Sequence, residues 1–189
     1  MTAGDHPDAS RRAELVDRAQ AGDAHAFGLL YDEYHQAVYR YVYARVGAVA
    51  LAEDLTSETF VRALRALDSF RWQGRDFGAW LVTIARNLIA DHFKSGRVRL
   101  ESPTDEIETH DSATQGPEID VLTLVTAEAV RQAVGALPDE QRDCLTMRFF
   151  AGMSIAETAK VLDKSEGAVK QLQLRAVRQL AKVVPKDLR

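Results

Sequence analysis

The chain is poor in the residues that would commit it to several kinds of chemistry. It has one cysteine, Cys144, in 189 residues. No intrachain disulfide can form, and a reducing cytosol is the expected compartment. No apolar run approaches the ~18 residues of a membrane span. The opening residues lack the basic start and apolar core of a signal peptide, and residues 1–10 are expected to be a loose polar tail. The five histidines, His6, His25, His35, His92 and His110, show no metal-ligand spacing and no neighbouring cysteine pair. A Gly-rich phosphate loop is missing, as are internal repeats and strand-period alternation of useful length. Carboxylate pairs such as Asp32 and Glu33 have no nucleophile beside them. Neither enzymatic activity, a metal nor a cofactor is expected.

What is present is helical periodicity and uneven charge. The net charge of −4 conceals three blocks. Residues 11–100 carry 13 Lys+Arg against 11 Asp+Glu, residues 101–128 carry none against 8, and residues 138–189 carry 10 against 7. One acidic segment sets the overall sign, and the blocks on either side are mildly basic, which is a better guide to partners than the sum. The same segment is a composition break, with Pro103, Gly116, Pro117 and several Ser, Thr and Asp. It reads as a solvated linker over 97–117, between a helical domain at 11–96 and a second at 118–189. Fully stretched it reaches ~70 Å, enough for two domains to touch one duplex at separated sites.

In the first domain, Ala26, Phe27, Leu30, Tyr31, Tyr34, Val38, Tyr41 and Val42 follow a period near 3.6, and Gly47 is placed to stop that helix. A second helix is predicted over 52–67 with Leu55, Thr59, Leu64 and Leu67 near one face. A third is predicted from about Gly78 to Ser95, with Leu81, Ile84, Ala85, Leu88 and Ile89 as its apolar stripe and Gly96 as its end. Beyond the linker, Pro117 opens a predicted helix to Leu137, and Pro138 with two acids opens another that Gly152 closes. Cys144 lies in that helix as a small packing residue.

Residues 154–178 read as two short amphipathic helices joined by a tight turn. Ser154 and Glu157 form a capping box, and Ser165 can cap the second helix. At 100° per residue, Val169, Leu172, Gln173, Ala176, Val177 and Leu180 face one side. Lys170, Gln171, Leu174, Arg175 and Arg178 face the other. The cations suit phosphates or guanine edges, Gln suits adenine, and an apolar tip suits a thymine methyl. A short helix, a turn and a basic second helix is the arrangement that lays one helix in a major groove.

A second candidate set is the segment 68–77, where Phe70, Arg71, Trp72, Arg75 and Phe77 alternate rings with guanidiniums. Rings stack on unpaired bases and cations hold the backbone. Phe70, Phe77 and Trp80 are expected in the core, with Trp72 the exposed ring. Arg86, Asn87 and Lys94 could extend a polar track along the following helix. The face carrying Asp54, Ser57, Glu58, Arg62 and Arg65 reads on sequence as a solvated face; acidic residues do not approach DNA, so any role there involves a protein.

Taken together these motifs resemble a known family. Phe27, Leu30, Tyr31 and Tyr34, the run from Ala52 to Ala63 and the run from Trp80 to Asp91 resemble the sigma-2 domain of extracytoplasmic-function (ECF, group 4) sigma factors of the sigma-70 family. Leu137, Pro138, Gln141 and Arg142, then Arg148 to Ala159 and Ser165 to Lys170, resemble the sigma-4 domain. Residues 86–95 and 167–178 further resemble actinobacterial developmental members.

The resemblance implies an all-α fold of two small helical domains and an alternative sigma factor, with core RNA polymerase, promoter DNA and an anti-sigma factor as partners. It places Asp54, Glu58 and Arg62 against the clamp helices of the polymerase β′ subunit, with the β flap as a further contact. Arg71, Trp72, Arg75, Arg86, Asn87 and Lys94 fall at the −10 element. Arg148, Ser165, Lys170, Gln171, Leu174, Arg175 and Arg178 fall at the −35 element. The location implied is cytoplasmic, on the nucleoid when active, with an anti-sigma factor able to hold the protein at a membrane. A stand-alone helix-turn-helix regulator is the competing reading; it needs a dimer seam to match a two-fold operator, and none is apparent. A helical metal-dependent nuclease is a third, without a ligand set to support it.

Overall fold

The computed structural model describes residues 7–72, 76–101 and 132–183. All regular elements among them are helical. The N-terminal unit comprises α1 (Pro7–Gln20), α2 (Ala24–Val46), α3 (Val49–Ala66), a 3₁₀ turn (Leu67–Ser69) and α4 (Phe77–Glu101). The C-terminal unit comprises a helical turn at 132–135, then α5 (Asp139–Phe149), α6 (Ile155–Leu162) and α7 (Glu166–Val183).

Local chemistry sets the helix ends. Asp23 caps α2, its carboxylate accepting from the His25 and Ala26 amides at 3.0 and 3.1 Å. Gly47 ends α2 in the left-handed region at φ 75° and donates its N–H to the Tyr43 carbonyl at 2.8 Å. Only glycine adopts that φ without steric penalty, which is why the expected stop holds. Ser154 and Glu157 form the full capping box on α6, and the Ser165 hydroxyl accepts from the Ala168 amide at 3.2 Å to start α7.

The main core lies in the N-terminal unit. Leu30, Tyr41, Val42, Phe77, Leu81 and Ala85 have no exposed surface. Each large side chain buried this way contributes about 1.5–3 kcal/mol. Phe70 packs against Phe77 and Trp80 with ring centroids 5.4 and 5.0 Å apart, and Tyr34 meets Phe77 at 5.5 Å. Gly78 is required there, since a Cβ would lie 2.7 Å from the Tyr34 ring. The Gln20 amide donates to the Leu67 and Phe70 carbonyls at 2.8 and 3.0 Å and fixes the chain where it leaves α3.

Four expectations change. The loose tail is helical from Pro7 onward. Proline suits a first helical position, and Arg11 and Arg12 grip Glu33 at 2.7 and 2.5 Å while Leu15 and Val16 are buried. Gly96 does not end α4, which runs to Glu101; one glycine weakens a helix by about 1 kcal/mol without stopping it. Leu64 is 55% exposed, because it lies half a turn from Leu55 and Ala63 takes the inward position. Val177 is also exposed, so the inward face of α7 is narrower than its periodicity implied. The expected linker beyond Glu101 and the predicted helix before residue 132 lie outside the described residues.

The two units touch. Met147, Met153 and Val161 of the C-terminal unit are buried in one cluster with the N-terminal core. The C-terminal unit adds two small clusters of its own: Val134, Leu137, Leu145 and Ala176, and Cys144, Ala159 and Val169.

Candidate nucleic-acid interface

Helix α7 stands on the smaller of these cores. Val169 and Ala176 are fully buried and anchor it against α5 and α6. Asp163 turns the chain at φ 52°, and its N–H and that of Lys164 reach back to the Lys160 and Ala159 carbonyls at 3.4 and 2.9 Å. That turn, with the Ser165 cap that follows it, sets the angle between α6 and α7, and Ser154 fixes the far end of α6. With the inner face held, Lys170, Gln171, Leu174, Arg175 and Arg178 all point outward and are exposed. Among the described residues, Lys170, Arg175 and Arg178 have no ion-pair partner. Their charges are therefore open to an external anion. Two nearby cations are already engaged: Lys164 pairs with Glu140 at 2.8 Å, and Arg142 pairs with Asp139.

Arg148 stands apart from the set with which the sequence grouped it. It is half-buried, its Nε donates to Gln173 Oε1 at 3.2 Å and its Nη1 donates to the Met153 carbonyl. It therefore ties α5 to the inner side of α7 and to the loop before α6. Ser165 likewise spends its hydroxyl on the α7 cap.

The second set lies at the start of α4 and in the segment before it. Phe70 and Phe77 are buried and Trp80 is partly so, whereas Trp72 is 37% exposed and packs edge-on against Phe70 at 5.6 Å. The expected split between core rings and one exposed ring is observed. Arg71 is exposed and folds back to the Asp68 and Phe70 carbonyls at 2.6 and 2.8 Å. Arg75 lies outside the described residues. Asn87 and Lys94 are exposed along α4.

Arg86 points elsewhere. Its Nε donates to Asp143 Oδ2 at 2.9 Å, across the contact between the two units. Burial works against the Arg86 cation, but the Asp143 carboxylate outweighs it and raises the guanidinium above its ordinary value. Asp143 is 4% exposed and its other oxygen lies 3.2 Å from Arg45 Nε. Neither Asp143 nor Arg45 was singled out from sequence. The partners lie 57 residues apart for the Arg86 pair, so no local pattern announces them; the one signal was an acid set directly before the buried Cys144 and Leu145.

A further acid, Asp76, sits at the mouth of a cleft between the units lined by Arg12, Glu33, Tyr34, Met153 and Glu157. Burial, then the nearby charge of Glu157, pushes its carboxyl up, although the Tyr34 hydroxyl donates to it at 3.2 Å.

The third set is a row on α3. Asp54 and Arg62 are exposed and Glu58 is half-exposed, at four-residue spacing. Glu58 and Arg62 pair at 2.8 Å. Val61 and Leu64 lie beside them, 40% and 55% exposed. Mixed signs beside open apolar side chains suit a protein surface rather than a phosphate backbone.

Comparison with known proteins identifies the family. Residues 30–99 match the family model of Sigma-70 region 2, and residues 127–180 match Sigma-70, region 4. The chain is 58% identical over 182 residues to the ECF RNA polymerase sigma factor BldN of Streptomyces coelicolor, covering 96% of this chain and 69% of that protein. Among solved structures, CnrH in complex with the cytosolic domain of CnrY superposes with a TM-score of 0.69 at 25% identity, over 92% of this chain and 96% of CnrH. The sigma factor RpoE of Bartonella quintana, solved with the anti-sigma factor NepR, shares the fold with a TM-score of 0.65 at 24% identity, over 83% of this chain and 95% of RpoE. The chain belongs to the ECF sigma factors of RNA polymerase, the alternative sigma factors that bind the core enzyme and direct promoter-specific transcription initiation.

Proposed function

We propose that the three surfaces divide the work of initiation. Helix α7 reads the −35 duplex through Lys170, Gln171, Leu174, Arg175 and Arg178. Ser165 presents the helix N-terminus, and Arg148 holds the helix at its working angle. The segment around Arg71, Trp72 and Arg75 takes up an unstacked −10 base, with Arg86, Asn87 and Lys94 on the strand beside it. Asp54, Glu58 and Arg62 dock on the polymerase. The observation that carries this reading is the clustering of Lys170, Arg175 and Arg178, exposed and without an ion-pair partner among the described residues, on one face of α7.

The physical sequence is anchoring, then capture. Direct readout by α7 fixes register on closed duplex. Trapping an everted base at Trp72 shifts the −10 region toward the open state, against an unstacking cost of a few kcal/mol. With mild net charge on both sides, free DNA affinity is low, because non-specific affinity comes largely from cations. Docking on polymerase supplies the remainder by raising the effective concentration of each reader at its element. No described helix is long and apolar enough to cross a membrane. An anti-sigma factor would cover the open apolar side chains on α3 and α7, Val61, Leu64, Leu174 and Val177, and so compete with both polymerase and promoter.

The test is a division of labour in vitro. Lys170→Ala and Arg175→Ala each remove about 1–3 kcal/mol of base discrimination. They abolish promoter selection in transcription with bare core enzyme and leave core binding intact. Asp54→Ala with Glu58→Ala weakens core binding instead. Equal loss of core binding in both sets overturns the reading.

A further inference from the structure

The reading faces cannot do their work in the arrangement the structure describes. At ~3.4 Å per base pair, the roughly 25 base pairs between elements named −35 and −10 extend about 85 Å. A chain of this length packed as one body has a radius of gyration near 16 Å and is roughly 40 Å across. The two units must part to occupy both elements. What holds them together is specific. Asp143, on α5, reaches between Arg86 on α4 and Arg45 on α2, at 2.9 and 3.2 Å. Met147, Met153 and Val161 close the apolar part of the same contact.

We propose that Asp143 is an autoinhibitory clasp: its carboxylate occupies, on Arg86, the place a promoter phosphate would take, and it keeps the free sigma factor closed until polymerase separates the units. The proposal rests on the assignment of Arg86 to the −10 face. Carboxylate and phosphate oxygens compete for the same guanidinium donors, so Arg86 serves one or the other. Either the C-terminal unit is docked or the −10 strand is held.

The clasp is built to open. The Arg45 arm is a charge pair without an aligned hydrogen bond: Arg45 Nε and Nη1, Asp143 Oδ1 and the buried Tyr41 hydroxyl all lack hydrogen-bond partners among the described residues. Buried polar groups left unmatched reduce what the contact is worth. A partner that binds only the separated form therefore has a modest preference to overcome.

The test reads the distance between the units directly. Dyes are placed on the full chain at Asp32→Cys of α2 and Lys182→Cys of α7, both exposed positions. Cys144 is fully buried beside Ala159 and Val169, within the C-terminal unit, and stays unlabelled in either state. The free wild-type protein gives high energy transfer that falls when core polymerase is added. Asp143→Asn lowers transfer in the free protein, shifts the open-to-closed ratio about tenfold, and tightens core binding until the open form dominates. Arg45→Gln opens the free chain in the same direction but less, because the Arg86 arm remains, and the double variant opens no further than Asp143→Asn alone. If circular dichroism shows that Asp143→Asn loses helix, Arg45→Gln decides alone. Unchanged transfer in the folded variants overturns the clasp, as does opening without tighter core binding. Failure of the −10 assignment gives a different result: the variants open, but Arg86→Gln still melts promoter DNA normally.

Discussion

The outer faces of α7 and α4 carry the same kinds of residue and differ in what the fold does with them. On α7, Lys170, Arg175 and Arg178 are exposed without ion-pair partners among the described residues. On α4, Arg86 is engaged by Asp143, and Arg71 just upstream is turned back onto main-chain carbonyls. One proposed reader is presented ready and the other is held. The supports differ too. Helix α4 is packed into the large aromatic core around Phe77, whereas α7 rests on two small clusters and a pair of serine caps. A rigid platform under the proposed −10 face suits a step that must resist the restacking of a base. A small, locally determined unit suits a module that docks, detaches and reads duplex DNA without deforming it.

Substitutions that strike one side of this comparison sharpen it. The largest expected effect is on the platform: Phe77→Ala removes a fully buried ring and should cost about 3–5 kcal/mol, read as a lower midpoint in denaturant unfolding. Recognition of an isolated −35 duplex by polymerase-bound protein should suffer less than −10 melting. Next comes Trp72→Ala. The ring is partly in solvent and packs edge-on against Phe70, so the loss of stability should be about 1 kcal/mol. Promoter opening should fall by an amount corresponding to the ~1–3 kcal/mol of one base stack, measured with a fluorescent base analogue in the −10 element. Ser154→Ala removes a cap from the smaller unit and should cost ~1 kcal/mol, seen in thermal unfolding and in weaker −35 binding.

The smallest effect is on pH dependence. Burial, joined by the charge of Glu157, raises the folded-state carboxyl of Asp76 above its ordinary value. Its contribution is therefore fully present below the ordinary carboxylate range and is lost as pH rises through the raised value. Asp76→Asn should remove that component, so the difference in unfolding free energy between variant and parent should shift in the variant's favour as pH rises from 4 to 7. A pH-independent difference would deny the shift.

Much of the fold was legible because it is local. Gly47, Ser154 with Glu157, and Ser165 act within four residues of themselves, and each does what its position in the sequence implied; Asp23 caps α2 in the same local way but was not singled out. The outer face of α7 was legible for the same reason, since a 3.6 period needs no knowledge of the partner. What escaped was non-local. Helix α1 is held by ion pairs to Glu33 and by burial against α2. Leu64 and Val177 carry apolar side chains at positions the packing leaves open. Arg148 was placed at the −35 element by the family resemblance, yet its donors satisfy Gln173 and a carbonyl inside the unit. The Asp143 contact joins side chains from α2, α4 and α5, and periodicity along any one of them is blind to it.

The claim that two distinct faces read two distinct elements is tested most directly by mapping where each face lies on a promoter. A DNA-cleaving reagent tethered at Gln171→Cys of α7 or at Trp72→Cys before α4, in complex with core polymerase, should cut around the −35 element in the first case and around the −10 element in the second. Cleavage at one common region from both positions, or with the two reversed, would contradict it.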